Sequence, residues 1–220
     1  MSKRVVIISG GDITDELTLR SLSGGNIGVI GVDRGIEFLY RHKIVPNYIV
    51  GDFDSVNEEV ARYFREETDV PIKEYNPVKD ASDTEIAIRL AMTIGATEIE
   101  IHGATGGRLD HLWANVQCLY IPLKKDIKAT LVDPQNRISL HDEDFVLNKE
   151  EAYGQYFSLF PLGEVVHGLT LEGAKYPLKN HTMEPQDSLC VSNEIKDEAV
   201  KVSFRTGTLI LMETNDKEGF

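Results

Sequence analysis

The chain has 220 residues, 41% of them hydrophobic and 27% charged, with a formal net charge of −13. That length can bury a substantial core in one large domain or two modest ones, and the acidic balance argues against general nucleic-acid binding. No apolar run reaches the roughly 18 residues of a membrane span, and Cys118 and Cys190 support neither a disulfide scaffold nor a zinc site.

The N-terminus, MSKRVVIISGG, lacks the long apolar region and cleavage site of a signal peptide. A cytoplasmic protein with no membrane partner is the expectation. Arg4–Ile8 is a continuous apolar run of strand length, stopped by Ser9-Gly10-Gly11-Asp12. A short helical piece follows Thr14 and Asp15 as far as Leu22. Ile27–Val32 is the next strand and ends at Asp33-Arg34-Gly35. Ile36, Leu39 and Tyr40 then keep helical spacing. Pro46 interrupts before the strand Tyr48–Val50, which runs into Gly51-Asp52-Phe53-Asp54-Ser55.

The segment 57–66 is helical, with Val60, Tyr63 and Phe64 on one face and Ser55 as the expected N-cap. A weak strand over 71–74 leads to a loop over 76–83. Ile86, Leu90 and Ile94 restore helical periodicity, and Gly95 suits a C-cap. Glu98–His102 is a strand, 103–107 a glycine-rich turn, 109–123 a helical run and Lys128–Val132 another strand. Strands alternating with amphipathic helices imply a mostly parallel, Rossmann-like sheet with helices on both faces. Its polar motifs all fall at C-terminal strand ends, where open α/β sheets bind ligands.

Beyond Asp133-Pro134 helical periodicity disappears. Short runs at 137–141, 145–147, 156–159, 169–171, 189–191, 200–204 and 208–212 are separated by glycine and proline. That texture predicts an antiparallel β-sandwich or barrel-like domain. The expected division is a nucleotide-binding catalytic α/β domain over 1–135 and an all-β domain over 136–220, with the boundary region near 134–145.

Asp52 and Asp54 lie two apart where a strand becomes a loop, and closely placed carboxylates ask for compensating charge such as Mg²⁺. A polar strand-to-helix connection is the plainer alternative. Asp80 and Asp83 sit in VKDASDTE, where Ser82 and Glu85 form a capping pattern; Asp83 is then favourable toward the helix dipole with or without a ligand. Lys79 beside them is either a phosphate-neutralising cation or a solvated lysine.

Gly103, Gly106 and Gly107, with Thr105 between them, let backbone amides approach a phosphate at a helix N-terminus. Arg108 can grip phosphate oxygens with its fork, Asp110 can hold a metal, and His111 can contact phosphate or base. The pattern is neither a P-loop nor a good dinucleotide fingerprint. Asp33 can border a nucleotide or belong to a plain turn. Trp113 reads as core or interface, Asn115 is ambiguous, and Ser192-Asn193-Glu194 alone would be a turn. His42, His102, His141, His167 and His181 make no metal-spaced cluster and are read as non-catalytic. Five aspartates with Arg108 and glycine amides suit transfer of a phosphoryl-type group from a Mg²⁺-nucleotide; the acceptor is not legible from these residues.

GDFDS at 51–55, Asp80-x-x-Asp83, GGRLDH at 106–111 with Asn115, and SNE at 192–194 together resemble the thiamine pyrophosphokinase family over most of the chain. The resemblance implies transfer of a pyrophosphoryl group from ATP to the hydroxyl of thiamine, giving thiamine diphosphate and AMP. It implies Asp52, Asp54 and Asp83 as Mg²⁺ ligands and Asp110 near the metal or the thiamine alcohol. Asp33, Lys79, Asp80, Thr105, Arg108, His111 and the glycines 103, 106 and 107 fall on the nucleotide side. Asp54, Asp83, Asp110, Ser192 and Asn193 fall on the thiamine side. Asp52, Asp54, Asp83, Arg108 and Asp110 form the catalytic set. It also implies a homodimer, with thiamine between the α/β domain of one subunit and the β domain of the other.

Overall fold

A computed structural model describes residues 3–73 and 81–216. The chain divides into two compact units, 1–134 and 135–220. The first unit alternates strands β1 (Arg4–Ile8), β2 (Ile27–Val32), β3 (Tyr48–Val50), β4 (Ile72–Lys73), β5 (Glu98–His102) and β6 (Lys128–Val132) with helices. These are α1 (Asp15–Ser21), α2 (Gly35–Arg41), α3 (Glu58–Glu66), α4 (Asp83–Thr93), α5 (Leu109–Cys118) and α6 (Tyr120–Leu123).

All pairings in its sheet are parallel, in the order β4-β3-β2-β1-β5-β6. Successive strands step outward from β1 to β4, then the chain crosses back to lay β5 on the other side of β1. That reversal makes the gap between the C-terminal ends of β1 and β5 a topological switch point, where such sheets hold their ligands.

The strands are apolar because both faces are covered. Val6 and Ile8 pack with Ile36 and Leu39 of α2 and Val60 and Phe64 of α3. Alternation sends Val5 and Ile7 to the opposite face, and both are fully buried. On α4, Ala87, Ile88 and Ala91 are buried as well, and that helix contacts β1, β2 and β3.

The expected helix starts hold with two changes. Ser82 caps α4 by accepting from Glu85 N–H. Ser55 does not cap α3; Asn57 does, accepting from Glu59 N–H at 2.9 Å. The reason is a turn two residues earlier, where Val56 N–H donates to Phe53 C=O, which delays the first helical residue. The run 109–123 is two helices, because Pro122 has no N–H to bond the carbonyl of Cys118 and α5 ends there. The end of the 71–74 strand and most of the 76–83 loop, including Lys79 and Asp80, lie outside the described residues.

Among its described residues the second unit is all β except for a 3₁₀ turn at Lys149–Glu151. Its strands β7 (Asn136–His141), β13 (Leu209–Thr214) and β9 (Tyr156–Pro161) pair antiparallel in that order. A second antiparallel sheet runs β11 (Leu178–Met183), β10 (Val166–Glu172), β12 (Ala199–Ser203), β8 (Phe145–Asn148). One core of Phe157, Leu159 and Leu211 from the first and Leu169, Leu171, Val200 and Val202 from the second joins them as a sandwich. Two expectations change. The run 189–191 is a turn, with Leu189 and Val191 exposed around a buried Cys190. Leu178–Met183 is a strand that its polar composition concealed, an outer strand with only Met183 buried.

Candidate active site

Four strand ends of the first unit build the site. After β1, Ser9 N–H donates to His102 C=O and Gly11 N–H to Gly103 C=O, both at 2.8 Å. These bonds tie the Ser9–Asp12 loop to the glycine turn across the switch point. Gly103 has φ +65°, and a Cβ there would stand 2.4 Å from Ser9 C=O, so only glycine permits the approach. After β2, Asp33 N–H bonds Val50 C=O. The Asp33 carboxylate lies so close to Gly51 that a Cβ there would fall 2.2 Å from Oδ1.

After β3, the backbone turns at Phe53 with φ +64°. The Phe53 ring is buried, and the Arg65 guanidinium carbon lies 4.6 Å from its centroid. Asp52 Oδ1 accepts from Asp54 N–H at 3.2 Å, so the two carboxylates flank a tight turn. Asp54 is exposed and its carboxylate has no partner among the described residues. Asp83 opens α4, and the next residue, Thr84, is buried with its hydroxyl 3.3 Å from Ser9 Oγ.

A cleft of about 590 Å³ opens at these ends. Asp33, Gly103, Thr105, Gly106, Gly107, Arg108 and His111 line it. Ser9, Gly10, Gly11, Asp12 and Thr84 also line it, residues that the sequence reading treated as strand-stopping loop or helix start; the Gly-Gly pair after the first strand was the signal. Asp52, Asp54, Asp83 and Asp110 are not among the lining residues.

Asn115, whose role the sequence left ambiguous, lines the cleft and is buried; its Nδ2 donates to Ala104 C=O at 2.9 Å, holding the turn from α5. Arg108 makes a fork with Asp110, Nε to Oδ1 at 3.1 Å and the terminal nitrogen to Oδ2 at 2.5 Å. That fork, helped by His111 N–H, holds the exposed Asp110 carboxyl at about 2 and raises Arg108 above its ordinary value.

Among the described residues no three His, Cys, Asp or Glu side chains converge as a metal cluster. The donor chemistry nonetheless fits magnesium. Asp52 commits one oxygen to a backbone N–H and Asp54 none, leaving hard oxygen ligands at the strand end. Magnesium is ordinarily held by one or two carboxylates together with substrate phosphates and water.

In the second unit, Asn193 is buried and both ends of its amide are hydrogen-bonded. Oδ1 accepts from the N–H groups of Tyr176 and Glu194, and Nδ2 donates to Tyr176 C=O. Ser192 takes φ +55°, and its N–H donates to Ser158 Oγ. No helix among the described residues is long and apolar enough to cross a membrane.

A parallel sheet with a glycine-lined cleft at its switch point, followed by an antiparallel sandwich, defines a two-part α/β and β protein. Residues 20–131 match the family model "Thiamin pyrophosphokinase, catalytic domain", and residues 144–209 match "Thiamin pyrophosphokinase, vitamin B1 binding domain". Thiamine pyrophosphokinase of Bacillus subtilis is 35% identical over 97% of this chain and 100% of its own. A crystal structure of that enzyme superposes with a TM-score of 0.89 at 34% identity, covering 98% of this chain and 100% of the other. Thiamin pyrophosphokinase from Geobacillus thermodenitrificans gives 0.85 at 33% identity, covering 99% and 100%. The chain belongs to the thiamine pyrophosphokinase family.

Proposed function

We propose that the chain transfers a pyrophosphoryl group from ATP to the hydroxyl of thiamine, releasing AMP, and uses Mg²⁺ held by Asp52, Asp54 and Asp83. The observation that carries this reading is the cleft at the switch point, where two glycine-bearing loops, Ser9–Asp12 and 103–107, lie hydrogen-bonded to each other. Backbone amides of such loops suit a phosphate chain. Family membership supports thiamine as the acceptor.

In this reading the thiamine oxygen bonds to the β-phosphorus as the bond from that phosphorus to the α-phosphate oxygen breaks, the electron pair leaves on AMP, and the hydroxyl proton passes to the exposed Asp54 carboxylate. The bound metal would offset charge on the phosphate oxygens. Arg108 and Lys79, with the cleft's glycine amides, bind and orient the triphosphate, His111 contacts phosphate or base, Asp80 falls on the nucleotide side, and Asp33 borders the nucleoside. Asp110, held at about 2 by Arg108, is a poor proton acceptor while that fork persists. Its contribution is to keep the guanidinium extended until phosphate competes for it. Thiamine is assigned to Ser192 and Asn193, with Asn193 acting through the backbone it fixes. The enzyme is read as a cytoplasmic homodimer.

The test is incubation with Mg²⁺, ATP and thiamine, resolving AMP, ADP and thiamine esters. AMP formed in step with thiamine diphosphate is expected. ADP would mean γ-phosphoryl transfer, and pyrophosphate or phosphate release without thiamine would mean a hydrolase. Binding of ATP with no turnover would mean a nucleotide-binding protein. Light scattering of the purified protein reads the dimer.

A further inference from the structure

His102, the last residue of β5, is 1% exposed, and its imidazole has no part in the chemistry above. Its Nε2 lies 2.7 Å from Glu100 Oε1, and its Nδ1 lies 3.1 Å from the hydroxyl of Thr18 on α1, itself 1% exposed. Glu100 Oε2 in turn accepts from the Arg4 guanidinium at 2.5 Å, and Arg4 also donates to Ser21 C=O on α1 at 3.2 Å. The network thus fastens α1 to β1 and β5. Those are the elements on either side of the two loops that form the cleft. Loop Ser9–Asp12 leads through Ile13 and Thr14 into α1, and the glycine turn starts at the residue after His102. The His102 carbonyl accepts from Ser9 N–H at 2.8 Å. One residue therefore holds the first loop by its main chain and the helix beyond that loop by its side chain.

We propose that His102, through Thr18, is a positioning residue that sets the spacing of the two phosphate-facing loops, and thereby the affinity for the nucleotide. A buried imidazole nitrogen left without its partner costs more than the bond was worth, so the contact resists displacement of α1. Small shifts in loop placement weaken ligand binding when several backbone amides must reach one phosphate chain together.

The inference rests on the nucleotide reading of the cleft, and the test separates the two. Thr18→Val keeps shape and removes the hydroxyl; Thr18→Ser restores it. Mg²⁺-ATP binding by calorimetry and steady-state constants for ATP and thiamine are measured on the wild type and both variants, with thermal unfolding as the check on folding. Thr18→Val is expected to weaken ATP binding and raise its KM by about ten-fold. The KM for thiamine should stay within about two-fold, and Thr18→Ser should behave as wild type. Unchanged ATP affinity in folded Thr18→Val overturns the inference. So does an equal loss for both substrates, which marks a merely structural contact. If the wild type binds ATP but yields no AMP with thiamine, the proposed reaction falls while the affinity comparison still decides the role of His102. No ATP binding by the wild type overturns both.

Discussion

The Asp52 carboxylate accepts the backbone N–H of Asp54, so the first aspartate shapes the turn that presents the second. The positive φ of Phe53 and its buried, Arg65-covered ring fix that turn from the other side. The bend at Phe53 thus sets how the two carboxylates are presented to solvent.

Asp54 is exposed and its carboxylate bonds nothing among the described residues, so its loss should leave folding nearly intact. Asp54→Asn is expected to lower AMP formation by on the order of 100-fold, with an unfolding midpoint close to that of the wild type. Normal turnover in the folded variant would remove Asp54 from the metal site.

Arg108→Lys keeps the charge but loses the fork that reaches both oxygens of Asp110. The KM for ATP should rise about ten-fold, with a smaller change for thiamine. Since Arg108 is largely exposed, urea unfolding should barely move.

Gly103→Ala would place a Cβ 2.4 Å from Ser9 C=O at a positive φ. The two loops must separate or the backbone must leave its conformation. A loss of about 2 kcal/mol or more in urea unfolding is expected, together with weaker ATP binding. Gly107→Ala is the internal control, because open space surrounds its Cβ position; its cost should be the positive φ alone.

Burial opposes the Glu100 charge, but hydrogen bonds from His102, Ser21 and Arg4 override it and bring the carboxyl from 4.5 down to about 2. A group depressed in the fold stabilises it above the unfolded value and loses that contribution as pH falls toward the folded one. Unfolding free energy should therefore drop between about pH 5 and pH 2, by about 3 kcal/mol from this residue. In Glu100→Gln the curve should be flatter over that window. An equally steep curve would assign the loss to other carboxylates.

Much of the site was legible because its signals are local. Glycines after strands, a serine three residues before a glutamate, and an arginine next to a glycine turn each report the backbone immediately around them. Ser82 caps α4 as its neighbours require. Ser55 fails as a cap because a turn closed by Phe53 intervenes, and nothing in the one-dimensional pattern announces a positive φ on phenylalanine. Leu178–Met183 is not legible as a strand because an outer strand with little buried surface need not alternate.

The sequence by itself determined the alternation of apolar strands and amphipathic helices, the change of texture near residue 134, and the placing of acidic and glycine motifs at strand ends. Hydrophobic period and turn chemistry act over a few residues and can be read in order. Only the tertiary structure decided that β5 lies beside β1, so that Ser9–Asp12 meets the glycine turn. It alone engages Asn193 with Tyr176, and His102 with Thr18 across 84 residues. Those contacts depend on the order of strands in the sheet and on which buried polar groups find partners. Both are settled by packing between segments far apart in the chain.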